Sequence, residues 1–155
     1  MASTVKAKTL RVTIQEDIVL NNTNYGSKNK INIPSVNEVV KRVVTVPASE
    51  VELIAMGTAV ASGTFIEGDV RYIRITNLDD TNHIVLTFKD EDDTEFAIKV
   101  DAGHSFIYPG DNSGGVVDTM HAGGSALSVS LNDLVNITAL ADTAACDVEI
   151  FVASV

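Results

Sequence analysis

Two-residue alternation of apolar side chains, sustained from Asp69 to Pro109, is the feature that most restricts how this chain can fold. Within it Val70 and Tyr72, then Ile84, Leu86 and Phe88, then Phe96, Ile98 and Val100, then Phe106 and Tyr108 recur at the spacing that puts side chains on one face of a strand. Polar clusters separate these runs at Asn77–Asn82, Asp90–Asp93 and Asp101–Gly103, and their Asn, Asp and Gly residues accept tight turns. The pattern predicts four consecutive strands in an antiparallel meander.

Composition points the same way. Valine, threonine and isoleucine together number 48 of the 155 residues, and β-branched side chains suit a pleated, half-buried surface better than a crowded helix. A chain of this length predicts one domain over residues 1–155, burying roughly 70% of the surface its unfolded form exposes. The formal charge of −10 argues against nucleic acid as a partner, because neutralising phosphates needs clustered Lys and Arg. The single cysteine, Cys146, leaves no internal disulfide and no Cys-rich metal site, and reads as a small buried hydrophobe. No apolar run matches a signal peptide or the ~18 residues of a membrane span, so no membrane partner is expected and synthesis in a cytoplasm is.

Flanking the central stretch, Thr9 to Leu20 predicts a long first strand, bent near Glu16–Asp17, after an extended N-terminal segment 1–8. Asn21 to Lys30 predicts a loop, followed by a short strand Ile31–Ile33 ended by Pro34. Ser35 to Val46 admits two readings. Ser35 with Glu38 imitates a helical capping box, whereas the valine-rich run that stops at Pro47 favours a strand from about Glu38. Another strand is expected over Glu50–Met56, with Gly63–Gly68 as a connector. A Gly-rich surface excursion is expected over 110–125, the first candidate for a contact surface. Val135–Ala141 and Val148–Val152 then predict a closing hairpin that ties the C-terminus into a sheet. Eight to ten strands without a βαβ rhythm predict an all-β fold: a single antiparallel β-sandwich of jelly-roll type.

Chemistry-bearing residues form no recognisable machinery, so no catalytic, cofactor-binding or metal residues are assigned. Asp90-Glu91-Asp92-Asp93 has carboxylate density, but Thr94-Glu95 stands where a calcium loop needs its turn glycine, and a solvated hairpin tip is the expectation. His83, His104 and His121 lack a second His or Cys at zinc-like spacing. Ser105, His104 and Asp101 list a triad, yet adjacent strand residues point to opposite faces. Gly110–Gly115 and Gly123-Gly124 match no phosphate-cradling motif. Lys41, Arg42, Arg71 and Arg74 read as cross-strand or intersubunit charge partners. No cofactor is expected.

Three segments carry a resemblance: Val70–Asp79 (VRYIRITNLD), Val100–Phe106 (VDAGHSF) and Asp147–Ala153 (DVEIFVA). In style and order, over about Tyr72 to Val155, the chain resembles small β-sandwich virion structural proteins of tailed bacteriophages, particularly those infecting marine bacteria and cyanobacteria. The resemblance implies a non-enzymatic virion subunit, made in the host cytoplasm and working as a homo-oligomer on a symmetric platform. Its foremost form is a capsid decoration or cement protein that binds the major capsid protein through loops or the N-terminal segment. Two alternatives stand beside it: a tail, baseplate or fibre-associated component, and a carbohydrate-binding jelly roll using Tyr25, Tyr72 or Tyr108 to stack on sugars.

Overall fold

The computed structural model describes residues 4–61, 63–108, 118–119 and 132–155, and every regular element among them is a strand. In chain order these are β1 (Lys8–Glu16), β2 (Val19–Leu20), β3 (Thr23–Asn24), β4 (Ser27–Val36), β5 (Glu38–Val46), β6 (Val51–Gly57) and β7 (Thr64–Ile66). They are followed by β8 (Val70–Asn77), β9 (Ile84–Asp90), β10 (Glu95–Val100), β11 (Ser105–Tyr108), β12 (Asp118–Thr119), β13 (Asn132–Ala141) and β14 (Cys146–Ser154).

Strand pairing in the body is nested. β9 pairs with β10, β8 with β11, β6 with β13 and β5 with β14, all antiparallel. The effect is one long ribbon, doubled back at the β9–β10 turn and wrapped so that successive pairs fall in alternate sheets. Lateral pairing of β13 with β9 and of β14 with β8 closes the two sheets. Their orders are β10-β9-β13-β6-β7 and β11-β8-β14-β5, with β12 beside β13. This is a jelly-roll winding of an all-β sandwich.

Two expectations are corrected by this winding. The stretch from Asp69 to Pro109 is not a meander: β8 and β11 lie in one sheet and β9 and β10 in the other. Val135–Ala141 and Val148–Val152 do not form a hairpin either, because β13 and β14 belong to opposite sheets. Period-two alternation says which side chains share a face; it does not say which strand lies alongside. As expected, β14 ties the C-terminal residues into a sheet, between β8 and β5.

The core between the sheets is mostly aliphatic, with Ile73, Ile75, Val148, Ile150 and Val152 from one side facing Ile84, Leu86, Leu134 and Ile137 from the other. Its aromatic centre is Phe88. That ring lies parallel to Phe96, centroids 4.7 Å apart, and tilted against Phe106 at 4.8 Å, so it joins the two sheets. Leu53 and Ile54 are both buried because β6 carries a bulge between the partners of Ile137 and Thr138. The bulge leaves the Leu53 carbonyl out of the ladder, and the Arg42 guanidinium donates to it at 3.2 Å.

β1 and β4 form a third layer, a ribbon laid on the outer face of the β11-β8-β14-β5 sheet. Ile33 and Val36 are buried against Tyr72 and Ala153 in a core of their own, with Leu10, Val12, Ile31, Ile107 and Phe151 around it. Here the expected loop at Asn21–Lys30 and the stop at Pro34 are corrected. β4 starts at Ser27 and runs through Pro34 to Val36. Proline is tolerated because the register with β1 slips between Leu10 and Lys8, opposite Pro34 and Ser35, where the ladder needs no donor. Ser35 takes a φ of 63° in the same irregularity. The connector Gly63–Gly68 contains a short strand, β7, parallel to β6, while the strand expected from Glu38 is β5. Of the expected excursion at 110–125 only Asp118 and Thr119 lie within the described residues, pairing with Asp133 and Asn132.

Candidate interaction surface

The β1/β4 ribbon continues into a shaped tip. Val19–Leu20 pairs with Thr23–Asn24 across Asn21 and Asn22, whose φ values of 49° and 63° are those of a tight left-handed hairpin turn. The ribbon bends where β1 ends. Gly26 is required there, since a Cβ on it would sit 2.6 Å from the Glu16 carbonyl oxygen. Asn24 Oδ1 accepts from the Gly26 N–H at 2.8 Å and the Ile18 carbonyl accepts from the Tyr25 N–H at 3.0 Å. A tip built this carefully nonetheless shows its apolar side chains to solvent: Ile18 is 47% exposed, Val19 65%, Leu20 54% and Tyr25 63%. Contiguous exposed apolar groups on a defined element mark a contact surface.

The ribbon is also two-faced in charge. Cross-strand pairs Arg11–Asn32, Thr13–Lys30 and Gln15–Lys28 occupy the side opposite Leu10, Val12 and Ile33. Residues 1–36 hold Lys6, Lys8, Arg11, Lys28 and Lys30 against Glu16 and Asp17, a net +3, while the remaining 119 residues carry −13. None of those five cations meets a carboxylate among the described residues. The cations of the body are engaged: Lys41 and Arg74 with Glu149, Lys89 with Asp93, Lys99 with Asp101, Arg42 with the Leu53 carbonyl and Arg71 with the Gly68 carbonyl.

Glu149 organises the rest of the outer sheet face. Arg74 Nη2 lies 2.6 Å and Lys41 Nζ 3.2 Å from its carboxylate oxygens, and the two cations together hold its pKa below the ordinary 4.5. Arg74 also bonds Thr76 and stands 5.9 Å over the Phe151 ring. Lys41 and Arg74 are thus cross-strand partners, as expected of them. Within the chain Arg42 and Arg71 meet main-chain carbonyls, those of Leu53 and Gly68.

The other candidate residues go separate ways. Asp90 is not part of a solvated tip: it is fully buried, and its Oδ1 accepts from the Asp92 and Thr94 N–H groups to close the β9–β10 turn, leaving Glu91, Asp92 and Asp93 outside. His83 Nδ1 lies 3.5 Å from Asp142, His104 Nδ1 lies 2.9 Å from the Ala102 carbonyl, and His121 falls outside the described residues. Among the described residues no three His, Cys, Asp or Glu side chains converge as metal ligands. Ser105 shares a hydrogen bond with Thr76, Asp101 pairs with Lys99, which lowers its pKa, and His104 meets Asp101 through a main-chain bond from its N–H to the Asp101 carbonyl at 3.0 Å, so the three side chains form no hydrogen-bonded relay. Gly110–Gly115 and Gly123-Gly124 lie outside the described residues. Cys146 is buried, and burial pushes its thiol pKa up. Of the three tyrosines only Tyr25 stands at the surface: Tyr72 is buried edge-on to Phe151, its pKa raised by burial, and Tyr108 packs partly buried against the core.

Sequence reasoning missed the tip, having read Asn21–Lys30 as loop, and missed Asn77, which it read as turn. Alternation at Leu10, Val12 and Ile14 was visible; that its partner strand began at Ser27 had no signal in a run as polar as Ser27–Lys30. No known protein family, no curated relative and no solved structure matches this chain.

Proposed function

We propose that this chain is a structural subunit of a tailed-bacteriophage particle, a decoration or cement protein that binds the major capsid protein and braces the shell. A jelly roll is compatible with this and does not choose it, since the same winding serves capsid and lectin domains alike. The single observation that carries the reading is the ribbon arm: the sandwich carries a two-stranded ribbon whose end is apolar and whose flank is basic. Such a surface is suited to contact, and a virion subunit works by contact. The resemblance of Val70–Asp79, Val100–Phe106 and Asp147–Ala153 to phage structural proteins supplies the setting.

Quantifying the chain in purified particles tests this directly. Copies matching the symmetry of the capsid surface, lost together with shell stability when the chain is omitted, are the expected result. A few copies per particle would move it to the tail, and its absence from particles would end the reading.

A further inference from the structure

We propose that the N-terminal ribbon is an exchange arm that docks on a second copy of this chain, its tip entering the groove between β5 and β7 of the neighbour. This inference does not depend on the virion reading; it follows from where the tip and the groove lie.

The groove is an open cleft of about 260 Å³ along the side where the two sheets part. Val60, Ala61, Phe65 and Ile66 supply apolar walls, and Glu38 and Asp69 supply carboxylates. One wall is β5, the free edge of its sheet. Its nine residues pair with β14 in unbroken register and carry neither proline nor bulge, so that of the devices that close an edge to a further strand it has only the charged side chains of Glu38, Lys41 and Arg42. The other lateral edges are shorter, at six residues in β10, four in β11 and three in β7.

Tip and groove match in chemistry. The tip offers Ile18, Val19, Leu20 and Tyr25, flanked by Glu16 and Asp17; behind it stand Lys28 and Lys30, neither with a carboxylate partner among the described residues, in an N-terminal segment of net charge +3. The groove offers apolar walls with Glu38 and Asp69, and with Arg42 held on the Leu53 carbonyl, inside a body of charge −13. The ribbon's length sets its tip apart from the strand junction at which its own groove lies. The groove opens at the base of the arm, where Glu38 follows Asn37 and the Asn37 N–H donates to the Ser154 carbonyl. From Val36 back to Ser27 the ribbon extends about 30 Å at the usual strand rise of ~3.4 Å per residue. Ile33 and Val36, buried against Tyr72 and Ala153, keep it lying away from that base. A second copy brings the same groove within reach of the tip. Such a head-to-tail contact gives a ring where its rotation closes and an open filament where it does not, and a reciprocal exchange gives a dimer.

Sedimentation of the full chain, at low salt and at ~1 M salt where screening shortens to ~3 Å, is the test. Wild type should associate at low salt and dissociate at high salt. Val19→Asp with Leu20→Asp, and separately Lys28→Glu with Lys30→Glu, should raise the dissociation constant about tenfold or more. Their circular dichroism should stay that of wild type, because all four positions are exposed. Glu38→Lys with Asp69→Lys should weaken association as strongly, and combining it with the lysine reversals should restore assembly. A wild type that stays monomeric at low salt, or arm variants that assemble like wild type, would overturn the proposal. Arm variants that dissociate beside groove variants that do not would overturn the groove as the receptor.

Discussion

Asn77 joins three segments with one amide. Its Nδ2 donates to the carbonyls of Asn82 and Val100, at 2.9 and 3.2 Å, and its Oδ1 accepts from the Asp79 N–H at 3.0 Å. Its own N–H and carbonyl engage His104 and Gly103. Because the side chain is fully buried, removing it strands polar groups that water cannot reach. Asn77→Ala should therefore cost ~2–3 kcal/mol, at the upper end for buried groups left unsatisfied; a shift in denaturation midpoint at unchanged slope measures it, and a loss below ~0.5 kcal/mol would contradict the role. Glu149 gives a pH signature with a definite sign. Its folded pKa lies below the unfolded one, so its contribution is present above about pH 4.5 and fades as pH falls through the lower folded value. Wild type should melt above Glu149→Gln at neutral pH, and the gap should narrow on acidification; a gap that widens in acid would refute the pairing with Arg74 and Lys41. Neither residue was legible from its neighbours in sequence. Asn77 looks like any turn asparagine, and its burial comes from Val100 and His104, brought in by other strands.

At the level of elements, the ribbon arm has a core of its own, and this predicts separate behaviour. Ile33, Val36, Tyr72 and Ala153 form a cluster distinct from the one between the sheets. Truncating Ile33 to alanine should loosen the arm without melting the body, because local opening needs to break only that cluster. Hydrogen exchange should accelerate across Lys8–Glu16 and Ser27–Val36 and stay slow in β8, β9 and β14; a uniform loss of protection would show instead that arm and sandwich unfold as one. The first strand of this element was legible from Leu10, Val12 and Ile14. Its partner was not, since Lys28, Asn29 and Lys30 carry no apolar alternation and Pro34 reads as a terminator. A strand that borrows its register from a neighbour needs little pattern of its own.

For the whole molecule, the nested winding has a kinetic consequence. β5 pairs with β14, so Val46 meets Cys146, 100 positions further along the chain. Topologies dominated by such pairings fold slowly, in milliseconds to seconds or longer. Stopped-flow refolding should be slow even though the chain contains only three prolines; microsecond refolding would be inconsistent with the winding. Alternation and β-branched composition alone determined the fold class, the sandwich and the positions of most strands, because side-chain period is a local property written residue by residue. Which strands lie side by side, that a polar run becomes half of a ribbon laid on the sheet, and that this ribbon ends in an apolar tip with a basic flank behind it were decided only in three dimensions. Pairing and placement depend on which distant surfaces can be buried together, and no local pattern records that.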